Sequence, residues 1–314
     1  MTKPNAFVIY DGASMIDGKR IVAIANIAKS RNGKTGAMVQ TYILRPDINP
    51  LEANKTGADF SICGNCPHRG NATNDPNRKT AENRSCYVNL GQGVLITYKA
   101  YKAGKYPSIS GHDAIAALGV DRMVRIGTYG DGAAVPSYIW DSLISKAKGH
   151  TAYSHQSGIE SASFDPAIYM QSADSKEDAE LAWLKGHRTF RVIDKIESLI
   201  AGKEILCPAS KEAGYKTQCI TCGLCAGTSN QSPLWRMVPV PVISNVKPHR
   251  KGNKPMYNET TKLIESLEHW AKCFKDGTLD DSNAEEIAYL LEDKAHDLRT
   301  WQTKATRGKD NAKN

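Results

Sequence analysis

The cysteine pattern constrains this chain more than any other feature. Residues 207–225 read CPASKEAGYKTQCITCGLC, which places four of the eight cysteines within nineteen positions. Cys219, Cys222 and Cys225 have strict C-x2-C-x2-C spacing, and Cys207 is followed by proline. Three uses of these thiols are open at this point, namely disulfide bonds, a zinc ion or an iron–sulfur cluster.

Cellular compartment and ligand spacing separate these three uses. The chain has no apolar run of the roughly 18 to 20 residues that span a bilayer, and its first residues, MTKPNAFVIYDG, lack the apolar core of a secretory signal, so we expect a cytoplasmic protein. Clustered thiols in a reducing cytosol bind metals more often than they form disulfides. Structural zinc usually takes two separated cysteine pairs, whereas C-x2-C-x2-C with a remote Cys-Pro is typical of a four-iron cluster. The spacing therefore favours iron–sulfur, with zinc as the alternative metal.

A second set of cysteines lies earlier in the chain. SICGNCPHRG contains Cys63 and Cys66, and NRSCYV contains Cys86, which together make a C-x2-C-x19-C pattern. His68 is near enough in sequence to complete a structural zinc site with these three thiols. Three cysteines alone would instead leave one iron of a four-iron cluster open to a further ligand.

The apolar patterning predicts an α/β fold. FVIYDG, KRIVAIANIA and AMVQTYILRPDINP alternate apolar and polar residues around turn sequences, which predicts a small N-terminal antiparallel β module over residues 1–50. Strand patterns then alternate with helical ones, which predicts parallel strands with crossover helices. The predicted strands are 123–127, 151–155, 167–172, 189–194 and 204–209, and the predicted helices between them are 137–148 and 175–186. We expect a partial or complete β/α barrel-like core.

The rest of the domain organisation follows from composition. Residues 51–230 form the expected cysteine-rich, barrel-like domain, and within it residues 51–86 have little periodicity, which predicts a long loop that a ligand organises. Residues 231–300 begin with a Pro-rich extended linker and continue as two amphipathic helices. Residues 301–314 are polar and are expected to form a disordered tail.

Polar residues follow the predicted strands. In β/α folds the active site lies at the carboxyl ends of the strands. Asp131 comes after the strand at 123–127, and His155 ends the pattern TAYSH, so both are candidate catalytic residues. Asp174 and Ser175 are better explained as helix caps. Cys207 follows EIL in the strand pattern at 204–209, so the four-cysteine motif is expected to begin at the same face.

The positive charge is confined to the first third of the chain. Residues 1–110 hold fifteen Lys or Arg against seven Asp or Glu, which accounts for the whole net charge of +8. Lysines and tyrosines alternate in YKAYKAGKY, where Lys99, Lys102 and Lys105 would neutralise phosphates and Tyr101 would stack on bases. The alternative is a solvated, lysine-rich helix face.

The order of these motifs resembles a known family. A cysteine region ending in CY, a helix rich in Tyr and Lys, the sequence RIGTYGDG at a strand end and a strand ending YSH are similar to phage proteins of the gene product 88 family and, more remotely, to radical S-adenosylmethionine enzymes. The resemblance covers roughly residues 58–230. The positions that match are Cys63, Cys66, Cys86, Tyr87, Arg125, Gly130 and Asp131, together with the later CPAS and CGLC segments.

The resemblance implies an iron–sulfur enzyme in the host cytoplasm. Cys63, Cys66 and Cys86 would hold a reactive 4Fe-4S cluster that binds S-adenosylmethionine, and the cysteines of 207–225 would hold an auxiliary cluster. Tyr87, Arg125 and Gly130 would contact the cofactor, Asp131 would also line its pocket, and His155 would be a proton donor or substrate contact. The substrate would be nucleic acid or another macromolecule. The alternative is a non-catalytic, zinc-stapled nucleic-acid-binding protein of phage replication or host takeover.

Overall fold

Three antiparallel strands begin the fold and form one side of its first sheet. The computed structural model describes residues 4–30, 32–193, 198–200, 203–214, 217–228 and 240–243. The three strands are β1 (Ala6–Ala13), β2 (Arg20–Asn26) and β3 (Val39–Leu44). Strand β2 is almost wholly buried, and it pairs antiparallel with both neighbours. The antiparallel N-terminal strands predicted from alternation are confirmed.

All later strands pair in parallel. β3 pairs with β4 (Met123–Tyr129), which pairs with β5 (Gly149–Thr151), so the first sheet has the order β1-β2-β3-β4-β5. The second sheet consists of β6 (Tyr153–Ser154), β7 (Met170–Ala173), β8 (Thr189–Ile193) and β9 (Val240–Ile243), again in chain order. Ala152 is the only residue between β5 and β6. The chain therefore passes from one sheet to the other at that residue.

Helices occupy the connections between the strands. The helices are α1 (Pro50–Thr56), α2 (Phe60–Cys63), α3 (Leu95–Lys102), α4 (His112–Gly119), α5 (Ser137–Ile144), α6 (Lys176–Leu184) and α7 (Cys219–Cys222). A π turn over Leu90–Val94 leads into α3, and short 3-10 turns cover Pro67–Arg69 and Gly132–Ala134. Local sequence explains several helix starts: the Asn49 side chain caps α1, Pro136 precedes α5, and the Ser175 hydroxyl caps α6.

The main core lies between the first sheet and the helices packed on it. Ile24, Ile43 and Ile126 from the sheet are fully or almost fully buried with Trp140 and Leu143 of α5. The indole nitrogen of Trp140 donates a hydrogen bond of 2.9 Å to the Gly132 carbonyl. This bond ties α5 to the turn that follows β4, so the core also fixes the carboxyl end of that strand.

Several expectations from the sequence need correction. Residues 204–209 form no strand. The segment EIL pairs with no described strand, and its buried Glu204 instead forms an ion pair with Arg191 at 2.6 Å. Residues 51–86 are not one loop, because they contain α1 and α2. The domain boundary predicted at residue 50 comes after β3. Because β3 belongs to the same sheet as β4, this boundary does not separate two sheets.

The expected barrel-like core is seen only as parallel β/α structure. The described strands form two separate sheets and do not close into a barrel. In the part of the chain that the structure describes, no helix is long and apolar enough to cross a membrane. The predicted C-terminal helices and tail lie outside the described residues, apart from β9 within the predicted linker.

Candidate metal centres

The two cysteine groups lie at opposite ends of the parallel strands. The first group comprises Cys63, Cys66 and Cys86, and the second comprises Cys207, Cys219, Cys222 and Cys225. Asp131, just past β4, donates its backbone N–H to the Ile62 carbonyl at 2.6 Å, which places the first group at carboxyl ends. The Cys219 N–H donates to the Lys34 carbonyl before β3 at 2.9 Å, which places the second group at amino ends.

This placement corrects one prediction. The four-cysteine motif was expected at the carboxyl ends because Cys207 was expected to follow a strand. Residues 204–207 form no strand, and Cys207 packs with Met170, the first residue of β7. The chain therefore has two separate cysteine sites rather than one combined site.

Gln156 holds the loop between Cys63 and Cys66. Its side chain is fully buried, its amide nitrogen donates to the Cys63 carbonyl at 2.8 Å, and its amide oxygen accepts from the Asn65 N–H at 3.0 Å. Gly64 lies so close that a Cβ atom there would sit 2.1 Å from the Gln156 amide oxygen, and its φ of +50° also favours glycine. The C-G-N-C sequence is thus shaped around one glutamine that lies about ninety residues later in the chain.

A buried ionic network supports the same loop from the other side. Asp59 accepts hydrogen bonds from the Arg69 guanidinium and from the Asn54 amide nitrogen, the latter at 2.8 Å. Arg69 also donates to the Gly57 carbonyl at 2.8 Å. Cys86 joins this region because its N–H donates to the His68 carbonyl at 2.9 Å. Side chains of the protein therefore order the segment that was expected to need a ligand.

The environment of the first group suits a metal cluster. Burial, together with Asp59 and the other two thiols, raises the pKa of Cys63 well above its usual value, and burial also raises the pKa of Cys86. Tyr129, at the end of β4, lies near Cys63 and Cys86, and its buried hydroxyl has no hydrogen-bond partner. An unpartnered buried donor is costly unless an acceptor is supplied, and the sulfur atoms of a cluster are acceptors.

Asp131 is buried and its carboxylate is already in use. The residue is 8% exposed, and its Oδ1 accepts from the Ala133 N–H at 3.0 Å. Its Oδ2 accepts from the His155 N–H and from the Gln156 amide nitrogen, both at 2.9 Å. The carboxylate thus joins the end of β4 to the segment after β6, which favours a positioning role over direct catalysis.

We expect Asp131→Asn to destabilise the protein by about 1–3 kcal/mol, more than loss of a simple cap would. Asparagine replaces one carboxylate oxygen of Asp131 with an NH2 group. That group would face N–H donors which Asp131 now accepts from, so buried donors would be left without acceptors. Urea denaturation followed by circular dichroism measures this change, and Asp121→Asn, at an exposed position, is the matched control. Unchanged stability of the Asp131 variant would contradict this positioning role.

His155 lies in a cluster with His68 and Asp174. The His68 Nε2 is 2.8 Å from Asp174 Oδ1, and the His155 Nε2 is 3.4 Å from Asp174 Oδ2. Burial alone would lower the pKa of His155, but Cys66 and Asp174 outweigh burial and raise it well above its usual value. Burial would raise the pKa of Asp174, but hydrogen bonds from the two histidines lower it overall.

The second cysteine group lines one small cavity. All four of its cysteines contribute to the wall, with Tyr153 and Phe190 on the sheet side. Burial raises the pKa of Cys225 to about 12 and also raises the pKa values of Cys219 and Cys222. Such thiols are poorly suited to exist as free thiolates, whereas metal binding would deprotonate and pair them.

Hydrogen bonds to backbone carbonyls of its C-x2-C-x2-C segment anchor the second group to the sheets. The Cys225 carbonyl accepts from the Ala152 N–H at 2.9 Å, at the point where the chain changes sheets. Arg188 is buried before β8 and donates to the Leu224 carbonyl at 2.8 Å. These bonds bring the C-x2-C-x2-C segment to a fixed position, so its metal would cross-link the two sheets.

The residues expected to contact a cofactor have different surroundings. Arg125 on β4 donates to the Tyr87 hydroxyl at 2.8 Å, and its buried Nε has no partner. The Tyr87 ring itself is 70% exposed. Gly130 has a φ of +81°, and a Cβ atom there would lie 2.8 Å from the Ile43 Cβ. Close packing against Ile43 is thus sufficient to explain why glycine occupies position 130.

The basic segment lies on and after α3. Lys99, Lys102 and Lys105 are exposed, as a phosphate-binding surface requires. Tyr101, in contrast, is partly buried and packs against the main core. Nucleic-acid binding stays a prediction that depends on the lysines, and this packing weakens the expected stacking by Tyr101.

Sequence reasoning missed three residues of the first site. Gln156 and Tyr129 are ordinary polar positions in the sequence, and only their location past β6 and at the end of β4 pointed to them. Asp174 was interpreted as a helix cap, but the Ser175 hydroxyl accepts the capping bond from the Asp178 N–H at 3.0 Å. Asp174 is therefore left to contact His68 and His155.

Comparison with known proteins adds no relative. No protein-family model, no curated protein and no solved structure matches this chain. The resemblance to the gene product 88 family stays a prediction that the motifs around Cys63, Cys86 and Arg125 carry.

Proposed function

We propose that this chain is an iron–sulfur protein with two cluster sites, one of them catalytic in the manner of radical S-adenosylmethionine enzymes. The observation that carries the proposal is the pair of all-cysteine groups at opposite ends of the parallel strands. The first group lies at the carboxyl ends, where β/α enzymes carry their active sites. The second group lies next to the join of the two sheets, with Cys207 and Cys225 buried, which suits an auxiliary or structural cluster.

Ligand spacing supports clusters over zinc. Structural zinc usually takes two separated cysteine pairs. Cys219, Cys222 and Cys225 instead have C-x2-C-x2-C spacing with a remote Cys207–Pro208, which is the pattern typical of a four-iron cluster. The unpartnered Tyr129 hydroxyl adds a donor for a cluster sulfur.

Two buried donors without partners support a bound anionic group. Gln40 and Arg125 occupy paired positions on β3 and β4 and so lie on the same face of the sheet. The Gln40 Nε2 and the Arg125 Nε are both buried without hydrogen-bond partners. These donors would bind the carboxylate of an amino-acid moiety. S-adenosylmethionine has such a carboxylate, and a cluster held by Cys63, Cys66 and Cys86 would supply the electron for its reductive cleavage.

The strand order also supports the finer architecture. β3 to β5 in the first sheet and β6 to β9 in the second each pair in parallel and in chain order, as the strands of β/α barrels do. We therefore propose an open, partial barrel whose concave face holds the cofactor. A macromolecular substrate would approach from the side of the exposed lysines, in the cytoplasm of a phage-infected host.

We expect protein purified without oxygen to be brown and to contain about eight iron atoms per chain, with matching sulfide. Absorption near 400 nm and elemental analysis measure this. The Cys86→Ser variant should lose the first cluster and all binding of S-adenosylmethionine in isothermal titration, while keeping the second cluster. Colourless protein that contains zinc would overturn the proposal and favour the zinc-stapled nucleic-acid-binding protein.

A further inference from the structure

The cluster of His68, His155 and Asp174 has the composition and spacing of a mononuclear metal site. One ligand atom from each residue lies within 4.8 Å of the other two. Donors bound to one ion at about 2.1 Å lie roughly 3.0 Å apart in octahedral geometry and roughly 3.4 Å apart in tetrahedral geometry. The two observed separations from Asp174, 2.8 Å to His68 and 3.4 Å to His155, fall near these values.

The surroundings orient the ligands toward a common point. The Ser85 hydroxyl is hydrogen bonded to His68 Nδ1 at 2.9 Å, which leaves Nε2 to face Asp174. Such outer partners of metal-bound histidines fix the ring orientation and the tautomer. The backbone of His155 is held by Asp131 at 2.9 Å. Both imidazoles are therefore positioned by residues outside the cluster.

A second observation points to a missing partner. The His155 Nε2 is buried and has Asp174 Oδ2 at 3.4 Å and the Cys66 thiol nearby, but neither is aligned for a strong hydrogen bond. A buried imidazole nitrogen without a partner is costly, and a metal ion would satisfy it. The Asp174 side chain is 32% exposed, so an ion can reach the cluster from solvent.

We propose that His68, His155 and Asp174 bind one divalent transition-metal ion at the edge of the first cysteine group, close to Cys66. Two imidazoles and one carboxylate leave coordination positions open for water or a substrate oxygen, as in catalytic sites. The ion would act as a Lewis acid at the carboxyl ends of β6 and β7. The ligand set uses no cysteine, so manganese binding and iron content test the two proposals separately, although Cys66 lies close to His155.

Manganese(II) is the probe of choice because carboxylate and water ligands suit it and thiolates do not. We expect the full-length, anaerobically purified protein to bind one Mn²⁺ per chain, measured as loss of the free-ion signal in electron paramagnetic resonance. Zinc should displace it, since zinc ranks above manganese in the affinity series. His68→Gln, His155→Gln and Asp174→Asn should each weaken binding at least about 100-fold, and Ser85→Ala about 10–100-fold.

His187→Gln is the matched control, because His187 is also half-buried but is hydrogen bonded to Gln171 at 2.7 Å on a different part of the sheet. This variant should bind Mn²⁺ like the wild type, and circular dichroism checks that every variant is folded. Equal binding by wild type and the three ligand variants, or no Mn²⁺ binding by the wild type at millimolar concentration, would overturn the site. Iron content measured on the same samples tests the clusters separately, so brown protein without manganese binding refutes only this site.

Discussion

Replacing Cys222 with alanine is expected to remove the metal of the second cysteine group and to lower the melting temperature by roughly 10 °C or more. The reason is that the free energy of binding at a structural metal site is largely free energy of folding. The second group is tied to the segment before β3 through Cys219 and to the join of the two sheets through Cys225. Loss of its metal should therefore loosen both sheets. Metal analysis and differential scanning calorimetry measure the two effects.

Thr221→Ala is the control for this variant. Thr221 is exposed and lies between Cys219 and Cys222 in the same short helix, so the change tests the backbone without removing a thiol. The Thr221 variant should keep its metal and its melting temperature. Full metal content and an unchanged melting temperature in Cys222→Ala would show that these thiols are not ligands.

Gln156→Glu is expected to have the second large effect, with a loss of about 3–5 kcal/mol of stability and of the first cluster. The substitution replaces an N–H donor with a carboxylate oxygen, which would face the Cys63 carbonyl and the Asp131 carboxylate. Repulsion between these buried acceptors should open the loop that positions Cys63 and Cys66. Denaturation measures the stability, and iron analysis should show loss of about half of the metal.

Gln92→Glu makes the same chemical change at an exposed position and should alter neither stability nor iron content. Gln156→Ala separates repulsion from loss of hydrogen bonding, since it removes the donor without adding a charge. It should be less destabilising than Gln156→Glu. Wild-type melting and full iron in both Gln156 variants would contradict the role of this residue in holding the cysteine loop.

Local signals in the sequence were sufficient for most secondary structure. The patterning of residues 20–26 predicted a strand, and the structure has β2 there, with its five central apolar residues buried. Pro136 and Ser175 correctly marked the starts of α5 and α6, since each meets a local need of a helix N-terminus. The strand predicted at residues 204–209 was wrong, because a short apolar run can also pack in the core without pairing with another strand.

The sequence by itself indicated which thiols are candidate metal ligands, because C-x2-C spacing is a local property of the chain. It also determined the succession of strands and helices between residues 123 and 193, since apolar periodicity follows directly from backbone geometry. Only the tertiary structure decided that the two cysteine groups lie at opposite ends of the strands. It alone brought Gln156 to Cys63 and Asp174 to His68, over separations of 93 and 106 residues. Such contacts depend on strand order and on single hydrogen bonds, and neither leaves a periodic signal along the chain.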